Sequence, residues 1–305
     1  MRMIIGITGT TAVGKSKTAV MLAKRLGTEI ISCDSMQIYK EMNIGTAKIT
    51  QVDQAGVKHH LLDVVYPNTN FSAFDFSSMA TEIIDTMKTV PILVGGTGFY
   101  FDCLVRPPEF AECSSENKLK AKELVEQQGL DFAVSKLKEL DPDACDVIDL
   151  CNPKRVMRAL EIAFGGGKIS QGTGKQRPLQ YNLILFVLQR KRAELYKQIE
   201  LRVDEMIQGG LLSEAKFLYD KYRADLNNYS SFSAIGYKEL FDYFDGNCTL
   251  EQAIAQIKLN TRHYAKRQIS YFKRMEPLTY IDVDDKTTDE VVAEILQKLQ
   301  EKKVV

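Results

Sequence analysis

Gly9-Thr10-Thr11-Ala12-Val13-Gly14-Lys15-Ser16 follows the apolar run Met3-Ile4-Ile5-Gly6-Ile7-Thr8 and leads into a helical pattern. The order strand, glycine loop, helix decides the fold class. Gly9 and Gly14 free the backbone so that consecutive N–H groups converge on one anion, and the helix beginning near Lys15 adds its positive end. Lys15 adds a point charge, and the Ser16 hydroxyl is placed to ligate Mg²⁺ beside the phosphates. A kinase, a nucleotide hydrolase or an enzyme whose leaving group is diphosphate would all use such a loop.

Working outward, Lys17 to Leu26 sets Ala19, Val20, Leu22, Ala23 and Leu26 on one helical face, and Gly27 stops it. Glu29 to Ser32, Pro91 to Val94 and Tyr181 to Leu188 read as further strands, and the periodicity predicts helix from Arg192 onward, with one long stretch over Leu250 to Met275 and a closing helix over Asp289 to Glu301. Strands separated by helices predict an α/β fold: a P-loop nucleoside-triphosphate-hydrolase-like core with a parallel sheet. Charged helix formers at Lys118 to Gln128, Asp131 to Leu140 and Lys154 to Phe164, closed by glycine-rich sequence from Gly165 to Gly174, predict a small helical insertion domain at 111–179. The core is then 1–110 and 180–305.

Bulk properties narrow the setting. The 305 residues are 45% hydrophobic, enough for a full core, and the formal net charge is zero. Cys33, Cys103, Cys113, Cys145, Cys151 and Cys248 form no CxxC pair, which predicts reduced thiols. No apolar run approaches the roughly 18 residues of a membrane helix. With the N-terminus entering a strand at once, these features predict a soluble cytoplasmic protein with no membrane partner.

Asp34 stands at the end of the second strand, where a carboxylate can hold Mg²⁺ or accept a proton from a nucleophile. The strand ending at Val94 runs into Gly95-Gly96-Thr97 where a Walker-B aspartate usually sits, which weighs against a conventional ATPase. Two basic clusters stand out: Lys154, Arg155, Arg158, Lys168, Lys175 and Arg177 against Glu161, and Lys258, Arg262, Lys266, Arg267, Lys273 and Arg274 with no acid among them. Local patches rather than net charge bind phosphates, so the pair suggests a polyanionic partner. His59-His60 near Asp63 reads as structural, on a loop, with no obvious third metal ligand.

These residues resemble the tRNA dimethylallyltransferases over nearly the whole chain. The resemblance is carried by Gly9 to Ser16, Asp34 to Tyr39, Met42 to Lys48, His60 to Asp63, Val94 to Tyr100, Asn152 to Glu161, Gly236 to Glu239, and Thr261-Arg262 with Ala265 to Gln268. It implies transfer of a dimethylallyl group from its diphosphate to N6 of the adenine 3′ of the anticodon, with Mg²⁺ as cofactor and a monomeric enzyme. Gly9, Thr10, Thr11, Ala12, Val13, Gly14, Lys15 and Ser16, with Arg202, would hold the donor diphosphate. Asp34 would be the general base, and Thr97 a catalytic residue in contact with the tRNA or the leaving group. tRNA would meet Asp34, Ser35, Met36, Gln37, Thr97 and Lys118, then Lys154, Arg155, Val156, Met157 and Arg158. It would also meet Ser233, Ala234, Ile235, Gly236, Tyr237 and Lys238, and Lys266, Arg267 and Gln268.

The chain departs from the family in places. Gln198 stands where an arginine is frequent, so one diphosphate contact weakens or passes to Arg192. Ser233-Ala234-Ile235 lacks an arginine common in bacterial relatives, and no cysteine–histidine finger follows Arg274. Competing readings are a small-molecule P-loop kinase, an adenylate isopentenyltransferase and a non-catalytic RNA-binding module. The kinase predicts no long basic helix after residue 250; binding alone needs neither Asp34 nor the loop.

Overall fold

The computed structural model describes residues 1–107, 113–172, 178–275 and 277–302. It divides into two compact units, Met1–Val105 with Gln180–Val305, and Arg106–Leu179.

The larger unit is built on six parallel strands: β1 (Met3–Gly9), β2 (Ile30–Ser32), β3 (His59–His60), β4 (Ile92–Val94), β5 (Asn182–Gln189) and β6 (Leu278–Asp282), in the order β3-β2-β4-β1-β5-β6. The alternation of a strand sends neighbouring residues to opposite faces. Ile5, Ile7, Ile30, Ile92, Val94, Phe186 and Leu188 pack on one face, with residues of α1 (Lys15–Leu26), α9 (Arg192–Gln208) and α13 (Thr288–Glu301). Ile4, Ile31, Leu93, Leu185 and Val187 pack on the other, with α3 (Ala73–Thr86), α4 (Gly98–Val105) and α10 to α12 (Leu211–Lys221, Tyr237–Phe244, Leu250–Phe272). Both faces are covered, which is why the strands read as continuous apolar runs. Between β2 and β3, α2 (Gln51–Gln54) is a single turn started by Thr50, whose hydroxyl accepts the Asp53 N–H.

Two strands depart from the sequence expectation. β6 lies in a region expected to be helical, and its only buried residue is Ile281, so an edge position left little apolar alternation to read. His59-His60, expected on a loop, forms the edge strand β3, where the imidazole of His60 meets Glu29 at 2.6 Å. The α1 helix begins at Lys15, and Gly27 ends it in the left-handed conformation at φ 60°.

The centre of the sheet gathers three loops at its carboxyl edge. β1 pairs with β4 on one side (Ile7 opposite Val94) and β5 on the other (Gly9 opposite Leu188). Thr8 donates its hydroxyl to the Gly95 carbonyl at 2.8 Å, and Thr97 N–H donates to the Cys33 carbonyl at 3.3 Å. A Cβ on Gly95 would fall 1.9 Å from the Cys33 carbonyl oxygen, so only glycine lets these loops approach.

The smaller unit holds α5 (Ser115–Gln128), α6 (Leu130–Leu140), a 3₁₀ turn at Pro142–Asp146, α7 (Pro153–Phe164) and α8 (Ile169–Gly172) around Ala121, Ala133, Leu137, Ala144, Val156, Ala159 and Leu160. The Asn152-Pro153-Lys154-Arg155 motif is a helix start: the Asn152 side chain accepts the Lys154 and Arg155 N–H groups at 3.1 and 3.3 Å, and Pro153 occupies the first turn. The glycine run expected as a hinge begins as the end of α7 at Gly165; Thr173 to Arg177, including Lys175, lie outside the described residues.

Candidate active site

One cavity of about 990 Å³ lies entirely within the larger unit. Its floor is the glycine loop. Gly9 (φ 140°), Ala12 (φ 63°) and Gly14 (φ 86°) take positive φ, the alternation that turns successive N–H groups to one side. Lys15 and Ser16 line the cavity, and Lys15 Nζ donates to the Thr10 carbonyl at 2.7 Å. Burial pushes Lys15 down to about 7, the Arg202 guanidinium adds to the shift, and the Asp34 carboxylate partly opposes it. Arg202 is itself drawn down by burial and raised by Asp34. Two half-buried cations and one carboxylate thus share this wall.

Asp34 sits just beyond β2. Its Oδ1 accepts the Met36 N–H at 2.9 Å, and among the described residues nothing donates to its other oxygen. Thr97 Oγ1 accepts the Ser35 N–H at 3.0 Å and lies 3.3 Å from the Ser35 hydroxyl, so Asp34 and Thr97 are neighbours across a fixed turn. Burial, then the Asp34 charge, raise the pKa of Tyr264 of α12, and the neighbouring Thr97 and Gln268 side chains partly oppose the shift. The loop that carries Ser35 to Lys48 is anchored by carboxylates. Glu214 accepts the N–H groups of Asn43, Ile44 and Gly45 within 3.1 Å, and Lys48 Nζ bridges the Tyr39 carbonyl and Asp63 at 2.6 Å each.

Other parts of the wall are apolar. Met36, Ile199, Val203, Met206, Ala234 and Ile235 line the cavity. Sequence reasoning did not place Ile199, Val203, Met206 or Tyr264 there. Their signal was available: Ile199, Val203 and Met206 form a four-and-three-residue stripe on α9 on the same face as Arg202.

Several expectations need correction. Gln268 lines the cavity but is only 5% exposed, and both ends of its amide are engaged by the Thr11 N–H and the Gly96 carbonyl. Tyr237 is fully buried and donates its hydroxyl to Glu214 at 2.7 Å. Val156 belongs to the core of the smaller unit. Lys258 and Arg262, in a stretch of sequence without acids, are paired with Asp204 at 2.6 Å and Glu200 at 2.5 Å, acids supplied by α9. Arg158 is paired with Glu161 at 2.7 Å. Arg192 stacks on Tyr196 at the start of α9 and does not line the cavity; at 1.5 Å per residue it stands about 15 Å along the helix from Arg202, too far to replace a diphosphate contact. Lys118, Lys154, Arg155, Ser233, Lys238, Lys266 and Arg267 are exposed, and Met157 is half-buried.

A profile of the family described as IPP transferase matches residues 37–275. The chain belongs to this family. A tRNA dimethylallyltransferase from Halalkalibacterium halodurans is 42% identical over 98% of this chain and 98% of its own length. The crystal structure of the full-length tRNA isopentenylpyrophosphate transferase from Bacillus halodurans superposes with a TM-score of 0.74 at 40% identity, covering 99% of this chain and 98% of that one. A eukaryotic dimethylallyltransferase acting on tRNA superposes with a TM-score of 0.84 at 26% identity, over 99% of this chain and 80% of that one. The all-parallel sheet and P-loop are therefore the family's scaffold, and the glycine turn after β4 belongs to a transferase. Among the described residues, no helix is long and apolar enough to cross a membrane.

Proposed function

We propose that this chain is a tRNA dimethylallyltransferase, moving the dimethylallyl group from dimethylallyl diphosphate to N6 of the adenine 3′ of the anticodon, and working as a cytoplasmic monomer. The observation that carries the reading is the joining, in one cavity, of a cationic phosphate loop (Lys15 with Arg202), an apolar wall and the Asp34 carboxylate, with Thr97 behind it on Ser35. A kinase acting on a small polar substrate has no use for the apolar wall. An RNA-binding module needs neither the loop nor Asp34.

Each group has a task in the transfer. The loop amides, Lys15 and Arg202 hold the diphosphate and offset the charge that grows as it departs. Ser16 supplies a hydroxyl oxygen beside the loop, which suits Mg²⁺ held chiefly by phosphate oxygens and water. Mg²⁺ would neutralise the leaving diphosphate. The exocyclic amine of adenine is weakly basic, so Asp34 takes its proton as nitrogen attacks the allylic carbon, while Thr97 orients the base. An adenine stacked in an anticodon loop cannot reach a cavity, so it must be flipped out. Lys118, Lys154, Arg155, Met157 and Arg158 on the smaller unit, and Ser233, Lys238, Lys266 and Arg267 on the larger, are the side chains accessible to RNA once the core residues Val156 and Tyr237 are set aside, and Gln268 is reached only from the cavity.

Radiolabelled dimethylallyl diphosphate and unmodified tRNA carrying adenine 3′ of the anticodon test the reading: label should pass to the tRNA. Absence of transfer, or robust ATP hydrolysis without tRNA, overturns it in favour of a kinase.

The depressed Lys15 gives a pH signature. Above pH 7 the ammonium of the free protein loses its proton, whereas a bound diphosphate stabilises the charged form and raises its pKa. Donor binding at pH 8 should therefore take up about one proton, and affinity should fall as pH rises through this window. Calorimetry in buffers of different ionisation enthalpy measures it, and a zero proton count contradicts the placement of Lys15.

Lys266→Glu with Arg267→Glu should weaken tRNA binding and lower the slope of log K against log salt by roughly one for each phosphate no longer neutralised. Lys258 and Arg262 are excluded from this test because α9 already neutralises them. An unchanged slope in filter binding would return this face of α12 to an ordinary solvated surface.

A further inference from the structure

We infer that Gln268 sets the length of phosphate chain the loop accepts, admitting two phosphates and rejecting a third. This rests on the diphosphate-donor reading above. The Gln268 carboxamide is fixed at both ends: Oε1 accepts the Thr11 N–H at 3.0 Å, and Nε2 donates to the Gly96 carbonyl at 3.0 Å. Those two backbone partners determine which end of the amide faces the loop. An acceptor oxygen therefore stands where the first part of the loop would otherwise offer a donor to an anion.

The glycines after β4 make this possible. A Cβ at Gly96 would lie 2.2 Å from Gln268 Nε2, and one at Gly98 would lie 2.2 Å from the Tyr271 ring. A side chain at Gly96 would displace the Gln268 carboxamide from the loop, and one at Gly98 would displace the Tyr271 ring. With glycine in place the helix docks, and Gln268 reaches the loop.

The two ends of the loop consequently differ. At Gly14 to Ser16 the chain and the start of α1 line the cavity, and Lys15 and Arg202 supply charge. At Thr11 the N–H is taken. A third phosphate extended towards Thr11 would place anionic oxygens against the Gln268 carbonyl oxygen, with the Asp34 carboxylate next on the same wall. An uncharged hydrocarbon meets no such repulsion there. The same feature would thus exclude nucleoside triphosphates from a loop of ATP type and leave the Asp34 side for the allylic carbon.

The test compares Mg²⁺-inorganic diphosphate and Mg²⁺-inorganic triphosphate by calorimetry. The proteins are the unaltered chain, Gln268→Met, which keeps the volume without the acceptor, and Gln268→Ser, which also opens space. The unaltered chain should prefer diphosphate, and each folded variant should shift the ratio towards triphosphate by about tenfold, the scale of one hydrogen bond to a charged group. Parallel changes in both ligands, leaving the ratio fixed, would make Gln268 only a clasp and overturn the inference. Equal binding of the two ligands by the unaltered chain overturns it whatever the variants do. If diphosphate does not bind the unaltered chain at all, the donor reading falls as well, which separates the two failures.

Discussion

Asp34→Asn is expected to bind donor and tRNA as the unaltered chain does and to turn over about 10²–10⁴ more slowly, the usual range for losing a general base. Asparagine keeps the side-chain oxygen that accepts the Met36 N–H at 2.9 Å, so the turn holding Ser35 against Thr97 should survive. What disappears is the oxygen able to take a proton from the adenine amine. The substitution also removes the negative charge that raises Lys15 and Arg202, so a modest change in donor affinity is compatible with the assignment. Single-turnover rates at saturating substrate separate the two effects. A near-normal rate would reduce Asp34 to a turn residue, and an unchanged circular dichroism spectrum is required for the comparison to hold.

Lys15→Ala should raise the Kd for the donor by about 10- to 100-fold, as expected when one charge-assisted hydrogen bond is removed, with tRNA affinity unmoved. Within the loop the Lys15 ammonium donates to the Thr10 carbonyl, and it shares the cavity with Arg202, so its removal leaves a cationic wall of roughly half strength. Equal weakening of tRNA binding in a filter assay would place Lys15 on the RNA instead of the diphosphate.

The parts of this molecule that are legible in its sequence are those whose geometry is local. The phosphate loop declares itself because glycine at positions 9 and 14 is required by the positive φ of the turn. Asp34 is legible because a residue just past a strand near β1 must lie close to the loop. What a motif does not encode is which way each side chain points. Val156, Tyr237 and Gln268 sit in motifs with exposed neighbours, and nothing in a short motif says that Tyr237 turns inward to Glu214, 23 residues earlier in sequence. The cations of α12 read as unopposed in sequence because Asp204 and Glu200 belong to α9, far away along the chain. Strand β6 is hidden because an edge strand needs only one buried residue, Ile281, to hold its place. Gln198 and Arg192 stand out by family resemblance and do not line the cavity, whereas the expected Arg202 does, joined by Ile199 and Val203 from the same helix.

The excursion into the smaller unit leaves after Val105 and returns at Gln180, and the Gln180 N–H donates to the Val105 carbonyl at 2.8 Å. Departure and return are thus pinned to one point of the larger unit by a backbone bond. A loop closed at its base transmits little when its contents melt, so the helices of 115–172 can unfold and refold as their own cooperative event while the sheet stays intact. The same closure makes the junction a natural splice point: a short turn between Val105 and Gln180 would bridge a gap already closed, giving a continuous sheet and cavity without the helical excursion.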